Sequence, residues 1–256
     1  MKSLLFGLAA LCGALAMPVA QAQQLNILCS TEADWCESKA REFSVATGIK
    51  VSMVRKATGE VYAQIKAEAA NPKADIWYGG THDPHLQAAS EGLLQPYVSA
   101  NMKDQYPWSA DLLTKSGNQV AGIYRITLGF GYNRELLAKK NQKPPACWSD
   151  LVKPEYVGEI ETSSPATSGT AYTILATVVQ LMGEDAAIDY LKKLHRNITT
   201  YTRSGQAQSK NVAKGEVAIG VSFIFNFENE RQQGASYVKW NAPCEGTSYE
   251  IGGIAL

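Results

Sequence analysis

Short apolar runs alternate along this chain with segments whose apolar positions recur every three or four residues. Residues 25–28 predict a strand, and residues 34–47 an amphipathic helix closed by Gly48. Residues 49–55 predict a second strand, 60–70 a helix stopped by Asn71-Pro72, and 74–78 an apolar strand ending at Gly79-Gly80. A helix through Ala89 and a stop at Gly92 follow. Strands that alternate with helices predict an α/β fold, a mostly parallel sheet covered on both faces. Over residues 120–132 the alternation yields to one long β-rich segment, suited to carry the chain from one lobe to another. A second series then begins. It has a strand over 157–161, a helix from Thr170, a helix over 184–194, a strand near Thr199, a helix over 206–214 and a strand over 217–222. Residues 251–256 predict the start of a strand, and closing helices are expected beyond it, so the chain reads as truncated.

The N-terminus carries a different pattern. Lys2 is the only charged residue before Leu25, residues 4–16 are apolar, and Ala20-Gln21-Ala22 is a small-x-small cleavage site. Residues 1–22 therefore predict a secretory signal peptide cut before Gln23, which sends the chain to the periplasm. The apolar run is too short to span a bilayer. Leu11 precedes Cys12 where a lipid-anchor signal needs a small residue, so no lipid anchor is expected. The 24 basic residues less Lys2 leave 23 against 24 acidic ones. That near-neutral balance, with no basic run, argues against nucleic acid and against a polybasic membrane surface.

Four cysteines remain after the leader, and an oxidising compartment allows them three pairings. Cys29 and Cys36 are close in sequence, at a strand end and in the next helix, so that bridge is favoured; Cys147–Cys244 follows by elimination. A zinc site is the alternative, but the spacings do not fit and no histidine is near in sequence.

Ser163, Ser164, Thr167, Ser168, Gly169 and Thr170 connect a strand to a helical pattern. A helix start offers free N–H groups and a partial positive charge, and adjacent hydroxyls add donors, a combination suited to phosphate or carboxylate. A plain capped helix start is the alternative. Similar junctions recur at Ser30-Thr31-Glu32, Thr58-Gly59-Glu60 and Gly79-Gly80-Thr81, and Arg203 adds a guanidinium before another helix. All lie at the carboxyl ends of strands, where ligands of open α/β sheets collect.

Six blocks, in order, carry a family resemblance: residues 74–80 (ADIWYGG), 130–133 (FGYN), 143–151 (KPPACWSDL), 154–158 (PEYVG), 214–220 (KGEVAIG) and 249–253 (YEIGG). They resemble periplasmic solute-binding proteins of ABC importers, in the branch that holds ferric-ion, sugar-phosphate and aminoethylphosphonate binders. The resemblance covers nearly the whole chain after the leader. It implies two α/β lobes, each a mostly parallel sheet flanked by helices, joined by two hinge strands, with ligand held between them. Residues 23–124 would form the first lobe, 125–250 the second, and 251–256 the start of a return to the first.

The resemblance also implies a small anionic organic ligand, a phosphorylated or phosphonate-type molecule, passed by a monomer to ABC-transporter permease subunits without a cofactor. Ferric binders of the branch carry adjacent tyrosines after the strand ending near Ser222, whereas here residues 223–230 read FIFNFENE. Sugar-phosphate binders carry a His-Asp pair that aligns with Phe225 and Asn226. The resemblance thus gives Phe225 a stacking role, Asn226 a hydroxyl or amine partner, and Glu245 a contact of the same kind. The alternation of Phe223, Phe225 and Phe227 otherwise predicts a strand. The expected ligand-binding set is Ser30, Thr31, Thr58, Gly59, Gly80, Thr81, Ser163, Thr167, Ser168, Gly169, Thr170, Arg203, Phe225, Asn226 and Glu245.

No metal site is expected. His82 and His85 sit three apart, but His82-Asp83-Pro84 reads as a helix start capped by Asp83, and His195 as a helix end. No Gly-x-Ser-x-Gly, P-loop or His-Glu-x-x-His is present, so no enzyme is expected; a secreted phosphate-ester hydrolase is the alternative from another class, and a ferric binder the alternative within the family.

Overall fold

The structure, a computed structural model, describes residues 24–256; the expected leader, Cys12 and the cleavage site before Gln23 lie outside the described residues. In order the chain forms β1 (Gln24–Cys29), α1 (Ala33–Thr47), β2 (Lys50–Arg55), α2 (Thr58–Ala67), β3 (Ile76–Thr81) and α3 (His82–Ser90). Then come α4 (Pro107–Lys115), β4 (Ala121–Asn133), α5 (Arg134–Lys139), β5 (Ile160–Ser163), α6 (Gly169–Met182), α7 (Glu184–Asn197) and β6 (Ile198–Thr202). The last elements are α8 (Ala207–Lys214), β7 (Ile219–Phe223), α9 (Ile224–Gln232), β8 (Val238–Asn241) and β9 (Tyr249–Ala255).

The strands run in the order β2-β1-β3-β9-β4-β7-β5-β6, with β8 also on β4. β1 is parallel to β2 and β3, and β5 is parallel to β6 and β7. The expected parallel pairing therefore holds toward both ends of this order. Every pairing made by β4 and β9 is antiparallel. β4 is 13 residues long. Its first half pairs with β9 and its second half with β7 and β8, so one strand passes from one group of strands to the other.

Each group has its own core. Leu28, Val61, Trp77, Ala88, Leu112 and Val120 pack around the first. Leu128, Phe130, Trp148, Ile160, Ile219 and Val221 pack around the second. Trp148 stands edge-on to Phe130, with ring centroids 4.9 Å apart, and its indole N–H donates to the Gly246 carbonyl at 3.0 Å. A buried indole is thus packed and hydrogen-bonded at once, as burial of a Trp requires.

Two expectations are corrected. β5 begins at Ile160 rather than at residue 157: Pro154–Tyr156 form a 3-10 turn, and Val157 is exposed beyond it. The Phe223, Phe225, Phe227 alternation does not continue a strand, because α9 starts at Ile224. The residues around it, Asn226 and Glu228 to Gln232, are poor strand formers, and Glu228 pairs with Arg231 and Gln232 at helical spacing. Phe227 turns inward to a small core with Val212, Val217 and Val238. Helices α4 and α5 and strand β8 are additions to the expected list. α4 opens with Pro107 at its first position, a common helix start, and buries Leu112 and Leu113.

Both favoured disulfides are present, Cys29–Cys36 and Cys147–Cys244. They close loops of sequence separation 7 and 97. Loop-closure entropy assigns them about 2 and about 5 kcal/mol. Among the described residues no helix is long and apolar enough to cross a membrane.

Candidate functional site

Because β1 and β3 are parallel neighbours, their carboxyl ends come out on the same edge, and α1 and α3 start there. The starts of α6 and α9 meet that edge from the side of the second core. Between them lies a cavity of about 40 Å³. Ser30, Thr31, Thr58, Gly80 and Thr81 line it from the first side, Tyr124 and Ile126 of β4 cross its floor, and Thr170, Gln206, Phe223, Phe225 and Asn226 close it from the second. Glu60 takes the Ala57 N–H and Glu250 the His82 N–H, but none of the remaining first N–H groups of α2, α3 and α6 is capped by an N-cap side chain. Those donors are left for other partners.

Gly80 has φ +86°, and a Cβ there would lie 2.5 Å from the Thr58 hydroxyl, so only glycine fits. Its N–H donates to the Tyr124 hydroxyl at 2.9 Å. Burial pushes the Tyr124 phenol up to about 12, so it stays neutral and remains a donor. Two polar atoms on the wall are buried with no hydrogen-bond partner: the Thr81 hydroxyl and the Asn226 side-chain carbonyl. Each residue is 3% exposed. Leaving such an atom unpaired costs about 1–3 kcal/mol.

Phe225 stacks on Trp35 at 5.4 Å between centroids, and Trp35 meets Tyr124 edge-on at 5.7 Å. Arg55, at the end of β2, reaches across the cleft: its guanidinium donates to Ser204 at 3.0 Å, to Gln206 at 2.5 Å and to the Thr31 carbonyl at 3.2 Å. Burial lowers its pKa, opposed by Glu32 and Glu60. The Gly59 N–H donates to the Thr167 carbonyl at 3.0 Å, and a Cβ on Gly59 would stand 2.8 Å from that oxygen. This close approach requires glycine. Glu32, 6% exposed, leaves Oε1 unpartnered, and burial raises its carboxyl to about 7 against the pull of Lys210 and Arg55.

The geometry is that of a binding cleft between two α/β units. Residues 71–251 match the family described as bacterial extracellular solute-binding protein. The chain belongs to this family. AfuA of Actinobacillus pleuropneumoniae, a periplasmic binding protein whose structure holds exogenous fructose-6-phosphate, is 42% identical over 91% of this chain and 73% of its own, with a TM-score of 0.86. The Probable ABC transporter periplasmic-binding protein y4fP of Sinorhizobium fredii is 26% identical over 74% of this chain and 51% of its own length. The Fe(3+)-binding periplasmic protein of Serratia marcescens is 26% identical over 72% of this chain and 52% of its own. The chain thus spans about half the length of these two curated relatives.

Within this solute-binding protein the expected set divides. Ser30, Thr31, Thr58, Gly80, Thr81, Thr170, Phe225 and Asn226 line one cavity. Gly59 and Thr167 instead join the two sides to each other, as do Gly169 and Thr81, since a Cβ on Gly169 would meet the Thr81 hydroxyl at 2.0 Å. Ser163 donates to Ser168 at 2.9 Å beneath the start of α6. Arg203 is largely exposed and its guanidinium pairs with Glu60 across the cleft mouth, a different use from the anion contact expected of it. Glu245 is also employed elsewhere: its carboxylate accepts from the Trp148 and Ser149 N–H groups at 2.7 and 2.9 Å, capping a 3-10 turn, and it does not line the cavity.

His82 and His85 do not act as a pair. The His85 ring is buried against Trp77 at 3.7 Å and donates to the Thr81 carbonyl at 3.0 Å, while His82 turns to Glu250. Thr81, not Asp83, occupies the N-cap of α3. His195 does stand in the last turn of α7, 2.8 Å from the Tyr201 hydroxyl. Sequence reasoning missed Trp35, Arg55, Tyr124 and Gln206. The available signals were Gln206 beside Arg203-Ser204-Gly205, and a tyrosine within the segment read as crossing between lobes.

Proposed function

We propose that this protein captures a small phosphorylated organic anion, such as a sugar phosphate or a phosphonate, between its two lobes. It then presents the closed complex to the permease of an ABC importer. The observation that carries the reading is the Thr81 hydroxyl and the Asn226 carbonyl, buried and unpartnered on the wall of a cavity otherwise lined by hydroxyls, amides and rings. Hydroxyls and helix-start amides supply strong directional bonds to a phosphate without a fixed countercharge. Likeness to the fructose-6-phosphate-bound relative supports the same ligand class.

Organic ligands occupy pockets of roughly 300–1,000 Å³, far more than the 40 Å³ here. Entry therefore requires the lobes to part, and the ligand favours closure through the contacts it makes on both sides. The reading divides the lobes near residues 124 and 250, and the places of β4 and β9 in the middle of the strand order support that division. Binding rather than hydrolysis is supported by Ser163 and Ser168, whose hydroxyls bond to each other and to no base. The reading includes export to the periplasm by the N-terminal leader, and action as a monomer.

Iron fits less well, since Fe³⁺ favours tyrosine oxygen, while residues 223–230 hold no tyrosine and Tyr124 is the single tyrosine on the cavity wall among the described residues. Thermal shift with fructose 6-phosphate, aminoethylphosphonate, inorganic phosphate and ferric citrate tests the proposal. A ligand of the native form stabilises by roughly 2.7 kcal/mol at a hundred times its dissociation constant. A rise in Tm with phosphorylated organics is the expected result; a rise with ferric citrate alone, or with none of the four, overturns it.

A further inference from the structure

A larger hollow of about 570 Å³ lies along the crossing strand β9, with His82, Thr173 and Glu250 on its wall. Glu250 is 2% exposed and sits on β9 opposite Ile126 of β4, whose side chain faces the ligand cavity. One carboxylate oxygen accepts from the His82 ring, from the His82 N–H at 3.3 Å and from the Ile251 N–H at 2.9 Å. The other accepts from the Thr173 hydroxyl at 2.9 Å. His82 begins α3 in the first lobe, and Thr173 lies in the first turns of α6 in the second.

The residues so tied are neighbours of the ligand wall. Thr81 precedes His82, and Thr170 is one helical turn before Thr173; both line the cavity. The starts of α3 and α6 also touch there, through Thr81 and Gly169. We propose that Glu250 is a positioning residue that holds the ligand-facing starts of α3 and α6 in register across the cleft, through His82 on one side and Thr173 on the other. This rests on the reading of the cleft as an anion site. A buried carboxylate is stable only with its donors in place. Its bonds to His82 and to Thr173 together link the starts of α3 and α6 through the crossing strand β9.

The charged and titratable groups facing His82 are Glu250 from β9, Asp83 from α3, and Lys115 from α4, with His85 one turn along α3 and Asp111 on the wall of the same hollow. Burial lowers the His82 pKa, yet Glu250 and Asp83 raise it more, and the net direction is up. A raised histidine pKa gives stability that is complete below the unfolded value of about 6.5 and lost as pH rises through the folded one. The clasp should therefore loosen on the alkaline side.

The test compares Thr173→Val, Thr173→Ser and Glu250→Gln with the wild-type protein. Inorganic phosphate and fructose 6-phosphate serve as probes in titration calorimetry from pH 6 to 9, beside amide exchange of the unliganded protein. Thr173→Val is expected to weaken both probes roughly tenfold or more, with Thr173→Ser near wild type. Wild-type affinity should fall as pH rises, and Glu250→Gln should flatten that profile. In exchange, residues 81–83 and 169–171 should open faster together in Thr173→Val. Unchanged affinity of folded Thr173→Val overturns the proposal, as does a loss of Tm alone. If the wild type binds neither probe, the cleft reading fails, and exchange alone decides: wild-type rates at both segments in Thr173→Val sink the proposal.

Discussion

The cleft has two ends built on different plans. At one end Ser30, Thr31, Thr58, Thr81 and Thr170 present short hydroxyls where strands give way to helices, a chemistry defined by local sequence. At the other end Trp35, Phe225 and Tyr124 meet as rings drawn from α1, α9 and β4, a chemistry that exists only once the chain has folded. Under the proposed function the hydroxyl end would hold the phosphate, and the aromatic end, with Asn226, would choose what the phosphate is attached to. One end would then set affinity for the anion, and the other selectivity among organic groups.

The strongest way to break this division is Thr81→Val with Thr170→Val, which keeps shape and removes two donors. Hydrogen bonds to charged groups are worth about 1.5–3 kcal/mol each, so affinity for inorganic phosphate and for phosphate esters should fall roughly a hundredfold or more. Calorimetry that finds wild-type affinity would move the anion elsewhere.

Next in size is a pH effect at Glu32, the residue that opens α1. Lys210, Arg55, Asp34 and Glu230 surround it, and burial raises its carboxyl from 4.5 to about 7. A raised carboxyl gives stability that is present below pH 4.5 and lost as pH rises through about 7. Over pH 5 to 8 the wild-type Tm should carry a falling contribution of roughly 5 °C that Glu32→Gln removes. Parallel profiles for the two proteins would show the carboxyl to be ionised throughout.

Phe225→Ala loses the stack on Trp35. It should weaken an organic phosphate about three- to tenfold while leaving inorganic phosphate unchanged. Equal losses for both ligands would merge the two ends into one. The smallest effect is expected at Arg203, whose exposed pair with Glu60 should matter less than about threefold to ligand affinity when Arg203 is replaced by Ala. A large loss there would restore the anion contact that its sequence position suggests.

What the sequence discloses follows the same line. The strand-helix alternation, the Cys29–Cys36 bridge and the hydroxyl end depend on neighbours within a few residues and can be read directly, while Cys147–Cys244 follows from the first bridge by elimination. Family likeness marks Phe225 and Asn226, while the alternation of Phe223, Phe225 and Phe227 taken alone reads as a strand, since spacing of two in a short apolar run does not distinguish a strand from a helix start. Trp35 is separated from Phe225, and Arg55 from Gln206, by most of the chain, so no local pattern announces those contacts. Arg203 and Glu245 have the right chemistry for a ligand, yet a nearer partner in the fold takes it: Glu60 for one, two backbone N–H groups for the other. A charged group satisfied by its own protein looks, in sequence, like one waiting for a ligand.

The bridge between Cys147 and Cys244 makes a covalent ring of most of the second lobe. A protease that cuts one exposed turn inside that ring, at Pro165-Ala166 between β5 and α6 for instance, separates no fragment. The nicked chain would run as a single species until a reductant opens it. The lobe that closes the cavity from the second side thus has a tolerance to cleavage that the first lobe, with its short Cys29–Cys36 loop, does not share.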